Sequence, residues 1–319
     1  MVVNFRLHCS TLILLLFIPS PLPASDRSGF IESSDSVRIY YECDGHGEPL
    51  VLIAGGPGDS HTYFKPYFNK LAKKYTIIYF DARGRGRSTK PSNGSYSVDK
   101  DVEDLENLRS KLGYSKLNIF GHSYGGIVAE SYALTYPDKV GRLILCNTFH
   151  SADGWQDNID NCNRHIQQSY PGEWKKLTGL RQRMTSNTKE WREAYDPYIT
   201  NLYWFSVAKR KKYLATYQTL RRAEDDFSED VYYAIIGSDP DFQVNGTMKE
   251  LDLRDQLKTL RIPTLILGGR ADRIATVKQA MEIHDSIPQA KKYIFEKSGH
   301  LPFVEQNKKF IHTLEQFLK

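Results

Sequence analysis

The chain has only four cysteines in 319 residues, and no two of them stand in a CxxC spacing. Cys9 lies in an N-terminal stretch that reads as removable, which leaves Cys43, Cys146 and Cys162, so at most one disulfide can close within the chain. A bridge between Cys146 and Cys162 is one reading; small buried apolar residues are the other. Long apolar runs are also missing. The longest is Leu12–Ile18, seven residues against the roughly 20 that span a bilayer. With Arg6 before it and Pro19-Ser20-Pro21-Leu22-Pro23-Ala24 after it, this run suits the apolar stretch of a secretory leader over residues 1–24. The alternative is an uncleaved anchor. The leader reading predicts a secreted or periplasmic protein with no membrane span after processing.

There is no internal repeat, no low-complexity tract and no basic stripe. The formal net charge is +5, but the run Lys209-Arg210-Lys211-Lys212 is followed by Glu224-Asp225-Asp226, as on a solvated helical face. Nucleic acid is therefore not an expected partner. Gly55-Gly56-Pro57-Gly58 lacks the Gly-Lys-Ser/Thr ending of a phosphate-binding loop. What the sequence does have is an ordinary globular balance, 40% hydrophobic and 25% charged residues, enough for a large core.

Continuous apolar runs alternate with helical stretches. Val37–Tyr41, Leu50–Ala54, Tyr75–Phe80, Leu117–Phe120 and Leu143–Cys146 read as strands, with helices predicted over 99–112 and 127–136. Strands of this kind are buried on both faces, which predicts an α/β fold with a mostly parallel, doubly wound sheet. The alternation stops near Phe149 and returns at Thr264–Gly269, followed by a helix over 277–287, a strand over 292–295 and a last helix over 307–318. The interval is helical, amphipathic and contains all four tryptophans, Trp155, Trp174, Trp191 and Trp204. The division is therefore residues 25–148 for the first part of the core, 149–250 for an inserted helical cap, and 251–319 for the rest of the core. Most cap aromatics are expected to pack the cap onto the body, with a minority lining a cavity.

The stretch Gly121-His122-Ser123-Tyr124-Gly125-Gly126 follows a predicted strand. Glycines on both sides of a serine allow a turn from strand to helix too sharp for most residues, which would set Ser123 at its tip. A serine hydroxyl needs a neighbouring base to become a nucleophile at neutral pH. Of nine histidines, His300 alone falls just past the carboxyl end of the last strand, where ligands and reacting groups collect in open parallel sheets. An acid that orients the base should follow an intermediate strand, and Leu265–Gly269 delivers Asp272. A helix N-cap is the competing use of that aspartate. For the negative charge that develops on an attacked carbonyl, the backbone N–H groups of Gly56 and Tyr124 are the candidate donors. Arg83-Gly84-Arg85-Gly86-Arg87-Ser88 reads as a tight turn bracing the elbow.

These motifs together resemble the α/β-hydrolase fold and, within it, the prolyl aminopeptidase group of serine peptidases, over nearly all of the mature chain. Gly55–Gly58 is similar to that group's HGGPG, Asp81–Ser88 to its DxRGxGxS, and Gly121–Gly126 to its GxSxGG elbow. The resemblance implies a Ser123, His300, Asp272 acyl-transfer mechanism that needs no metal or organic cofactor, acting on a short peptide or other small molecule. It also implies that Asp241, within Gly237–Gly246, pairs with the substrate's free α-amino group; a solvated loop aspartate is the alternative. Two positions depart from the pattern: Ala54 stands where the motif has histidine, and Arg273 where some members carry a second amine-binding glutamate. Arg273 would repel an amine if it faced the pocket, or neutralise Asp241, or bind a substrate carboxylate. The expected activity is release of an N-terminal proline or another small residue, with hydrolysis of small apolar esters by a carboxylesterase or lipase-like enzyme as the alternative and a non-catalytic ligand receptor as a third class.

Overall fold

The computed structural model describes residues 27–33 and 35–319, so the expected leader falls outside the described residues. Two strands, β1 (Ser28–Glu32) and β2 (Arg38–Gly45), precede β3 (Glu48–Ile53) and β4 (Tyr75–Phe80). Helices and strands then alternate through α1 (Val98–Lys111), β5 (Leu117–His122), α2 (Tyr124–Thr135) and β6 (Val140–Cys146). After β6 come the helices α3 (Ala152–Ser169), α4 (Pro171–Gln182), α5 (Lys189–Ile199), α6 (Val207–Leu220) and α7 (Glu229–Ile236). The chain closes with α8 (Arg254–Leu257), β7 (Thr264–Gly269), α9 (Val277–Ser286), β8 (Lys291–Phe295), α10 (Pro302–Glu305) and α11 (Asn307–Phe317).

The eight strands form one sheet in the order β1-β2-β4-β3-β5-β6-β7-β8. Only β2 runs against its neighbours; from β4 to β8 every pairing is parallel. Successive side chains on a strand point to opposite faces, and the sequence fills both. Val51, Ile53, Ile78, Phe80, Ile119, Leu143 and Leu145 enter the core on the face of α1, α2 and α9. Their neighbours Leu50, Leu52, Ile77, Tyr79, Phe120, Ile144 and Cys146 enter a second core with Phe64, Phe68, Phe303 and the α11 residues Phe310 and Leu314.

Because these strands are parallel, the segments that follow β3, β5, β6, β7 and β8 all emerge at one edge of the sheet. The cap helices α3–α7 lie over this edge. In α3 the buried residues Trp155, Ile159, Cys162 and Ile166 recur at spacings of three and four, one face of a helix, and Ser151 starts it by accepting a hydrogen bond from Gly154 N–H. The helix is held down by that apolar stripe. Cys43, Cys146 and Cys162 are free and buried, so the small-apolar reading of the cysteines holds and the Cys146–Cys162 bridge does not form.

Candidate active site

Ser123 stands between β5 and α2 with φ 54° and ψ −127°, a backbone conformation that costs a non-glycine residue about 1–3 kcal/mol. Contacts on both sides hold it there. Ser123 N–H donates to Cys146 O at 3.1 Å, and its carbonyl accepts from Thr148 Oγ1 at 2.6 Å and from Gly126 N–H at 2.9 Å. The glycines are required by space: a Cβ on Gly125 would lie 2.2 Å from Ile53 O, and one on Gly121 2.4 Å from Gly125 O. No side chain fits at either place without moving backbone, so the elbow sits tight between β3 and β5.

His300 follows β8, and its Nδ1 lies 2.8 Å from Asp272 Oδ2. A carboxylate only accepts, so Nδ1 carries the proton and Nε2 is left as the acceptor. Asp272 is buried and saturated with donors: Ile274 N–H at 2.8 Å and Ala275 N–H at 3.1 Å on Oδ1, Asn147 Nδ2 at 2.6 Å and His300 on Oδ2. The cap of α9 is Thr276, so the helix-cap reading of Asp272 does not hold; its Oδ1 closes the turn that leads into α9 while its Oδ2 faces the imidazole. The histidine backbone is fixed as well, since His300 N–H donates to Tyr203 O at 2.7 Å, across to the cap.

Ser123, His300 and Gly56 line a common cavity of about 540 Å³ between sheet edge and cap, with Asp272 behind the imidazole. Gly56 has φ +108°, a conformation that suits glycine. Tyr124 is the first residue of α2, where a backbone N–H has no carbonyl a turn earlier within the helix to bond. Arg85 couples these two elements: its guanidinium pairs with both oxygens of Asp101 at 2.7 and 2.9 Å and donates to Pro57 O, while Tyr124 Oη donates to Asp101 at 2.8 Å. The arginine-rich turn therefore braces both the Gly55–Gly58 loop and the elbow helix.

Asp241 lines the same cavity from the loop after α7 and is buried. Its Oδ1 lies 3.6 Å from Arg192 Nη1, and its Oδ2 is buried without a hydrogen-bond partner. Burial lifts its carboxyl to about 7 against the pull of the Arg192 charge. Arg273 is exposed and is not part of the cavity wall, so it does not oppose an amine there. Arg192, from α5, is the basic group that faces Asp241. The cap aromatics reach the cavity in larger number than expected, among them Trp155, Tyr195, Tyr203, Trp204, Tyr213 and Tyr232.

Several positioning residues carry no sequence signature. Asn147, at φ 49° after β6, holds Asp272 and also donates to Gly299 O at 3.3 Å. Glu305 is buried and accepts from Gly299 N–H at 2.6 Å and, on the cap, from Ser206 N–H at 2.8 Å, tying the histidine loop to the start of α6. His122 Nε2 lies 2.9 Å from His300 O, an oxygen that can only accept, so Nε2 is protonated and Nδ1 accepts from Tyr63 Oη at 2.9 Å. Tyr63 Oη in turn accepts from Gly55 N–H at 3.0 Å. Burial, with the charge of His300 second, keeps His122 well below the usual imidazole range, so it stays neutral and structural.

Residues 48–306 match the alpha/beta hydrolase fold family. The chain is 29% identical over 292 residues to a proline iminopeptidase of Clostridium botulinum, an alignment covering 91% of this chain and 96% of that protein. Among solved structures, a proline iminopeptidase of Mycobacterium smegmatis superposes with a TM-score of 0.72 at 22% identity, covering 91% of this chain and 97% of that one. An esterase of Exiguobacterium antarcticum superposes with a TM-score of 0.65 at 24% identity, covering 90% and 98%. The two structural likenesses bear on the fold alone. With its match over most of the length, a parallel sheet in this order and a strained serine at the β5–α2 turn, the chain belongs to the alpha/beta hydrolase fold family.

Proposed function

We propose that the protein is an aminopeptidase that releases an N-terminal proline or another small residue from short peptides by acyl transfer. The observation that carries this reading is one cavity with Ser123 and His300 on its wall and, elsewhere on that wall, a buried carboxylate oxygen of Asp241 that has no hydrogen-bond partner among the described residues. A buried acceptor left unpaired costs about 1–3 kcal/mol, and a substrate ammonium supplies the missing donor.

In this mechanism Ser123 Oγ attacks the carbonyl carbon of the first peptide bond while His300 Nε2 takes its proton. Asp272 keeps the imidazole in the tautomer that can accept and stabilises the imidazolium that results. The negative oxygen of the tetrahedral intermediate is held by the N–H groups of Gly56 and Tyr124. His300 then gives the proton to the departing amine, leaving an acyl ester on Ser123. Water, deprotonated by the same nitrogen, cleaves that ester and restores the enzyme. Asp241 fixes the α-ammonium, so the first carbonyl and no later one lies at Ser123.

Three chromogenic substrates test the reading: free prolyl anilide, its N-acetylated form and a short-chain aryl ester. Fast release from the free anilide and at least about 100-fold slower release from the acetylated one is expected. Equal turnover of the two anilides rejects it. The second reading, an esterase of small apolar esters, draws on Arg192, which already stands beside Asp241, and on the aromatic lining of the cavity. It predicts that the aryl ester is the fastest of the three and the free amine gives no advantage.

Asp241 must be ionised to hold an ammonium ion. Its carboxyl is raised to about 7, so the free enzyme binds a proton there as pH falls through that value, and affinity for the amine falls with it. The kcat/KM profile for prolyl anilide is therefore expected to carry one more ionisation near 7, lost on the acid side, than the profile for the ester. Asp241→Asn should erase that difference and lower kcat/KM for the free amine by about 10- to 150-fold. An unchanged KM in the variant removes Asp241 from the amine site.

A further inference from the structure

The cavity has a second carboxylate, Asp59, that the mechanism above leaves without a task. It follows the Gly55–Gly58 loop, and its Oδ2 comes within 3.1 Å of where a Cβ on Gly56 would stand, so the carboxylate lies against the residue assigned to the oxyanion. Among the described residues it has neither a hydrogen-bond nor an ion-pair partner. The basic groups within its electrostatic reach are His300, the proposed neutral base, and Arg85, which is already spent on both oxygens of Asp101. Burial raises the Asp59 carboxyl to about 6, which leaves it ionised at neutral pH.

An unpaired negative charge beside the oxyanion site opposes the negative charge that must accumulate there. A substrate that brings its own cation to that place cancels the penalty. The geometry says which part of the substrate it is. Asp241 faces Arg192 of α5, whose guanidinium lies over the Tyr232 ring of α7, whereas Asp59 leads into the turn His61–Phe64, on which α6 packs. The α6 side is also the open one, since Leu214 and Phe227 line the cavity while 47% and 39% exposed. With the α-ammonium at Asp241 and the first carbonyl at Ser123, the peptide beyond the cleaved bond runs past Asp59 toward this mouth. Charge agrees: Asp59, Asp196, Glu229 and Asp241 line the cavity against Arg192 and Arg210, a formal charge of −2, of which the α-ammonium offsets one.

We propose that Asp59 is a specificity residue on the leaving-group side that selects peptides whose second residue is cationic, lysine or arginine. This rests on the aminopeptidase reading of the same cavity. The test is kcat/KM for four dipeptide amides, Pro-Lys, Pro-Arg, Pro-Ala and Pro-Glu, with the full chain and two variants. In the unaltered protein Pro-Lys and Pro-Arg are expected to exceed Pro-Ala by about 10-fold or more, with Pro-Glu below Pro-Ala. Asp59→Asn, close in shape, should bring the Lys-to-Ala ratio to about one, and Asp59→Glu should retain a preference above one; a ratio kept in Asp59→Asn overturns the proposal. Equal cleavage of all four by the unaltered protein overturns the assignment of Asp59 and leaves the aminopeptidase reading standing. Cleavage of none of them alongside rapid cleavage of an aryl ester overturns both.

Discussion

Alanine in place of Ser123 is expected to cut kcat on prolyl anilide by about 10⁵- to 10⁶-fold while KM changes little. In the proposed mechanism Ser123 forms the covalent ester, and nothing else on the cavity wall stands at the tip of the elbow, so the acyl route closes when Oγ is removed. Binding should persist because the proposed anchor for the amine end of the substrate, Asp241, is on a different element. Folding should persist too: alanine keeps the Cβ, and the three hydrogen bonds that hold residue 123 in its strained conformation are all made by backbone groups of that residue. His300→Ala should cost nearly as much. The double variant should be no slower than the worse single one, because the two groups act as a unit. Activity above about one per cent in Ser123→Ala, with no contaminating hydrolase, means that another group attacks the substrate.

How much of this was legible in the sequence follows from where the information sits. Strands buried on both faces announce themselves as apolar runs, and β3 through β7 were found within a few residues. The edge strand β1 was not, because only Ile31 of its five residues is buried and its hydrogen bonds carry no side-chain signature. The stretch 64–73 mixes polar and apolar residues without a clear period; short 3₁₀ turns form at His61–Phe64 and Leu71–Lys73, with Phe64 and Phe68 turned into the core. Within the site, Ser123, Asp272 and His300 were readable because each falls at a fixed place after a strand in a topology that the apolar runs impose. Asn147, Glu305 and Tyr63 were not, since each matters only through a contact with a residue far away in the chain. Asp59 belongs with them: an aspartate after a glycine-rich loop looks like any turn residue until the cap closes over it. The cap was the least legible part. Its aromatics have helical spacing whether they face the body or the cavity, so Trp191, fully buried, and Trp204, on the cavity wall, cannot be told apart by periodicity.

The second large effect is expected at Asp272, and its size follows from the fact that all four groups bonded to the carboxylate are donors. An asparagine there offers one oxygen and one NH₂. If the oxygen faces Ile274 and Ala275, the amide hydrogens point at Asn147 Nδ2 and at the proton on His300 Nδ1; if it is flipped, they point at the two backbone N–H groups. Neither orientation satisfies both sides. The first is less costly for the backbone, and His300 can relieve it by moving its proton to Nε2, so that Nδ1 accepts from the new amide. That tautomer presents a donor to the cavity and cannot take the proton of Ser123. Asp272→Asn is therefore expected to lower kcat by about 10⁴-fold, the loss that follows from a wrong tautomer in such arrangements. A cost in stability should accompany it, about 1–3 kcal/mol for a buried donor left without an acceptor, read as a drop in the unfolding midpoint. Asp272→Ala separates the two effects, for it removes the carboxylate without imposing a tautomer. If Asp272→Asn retained more than about a tenth of the activity, the imidazole would have to be oriented by some other acceptor, and the task assigned to Asp272 would pass to that group.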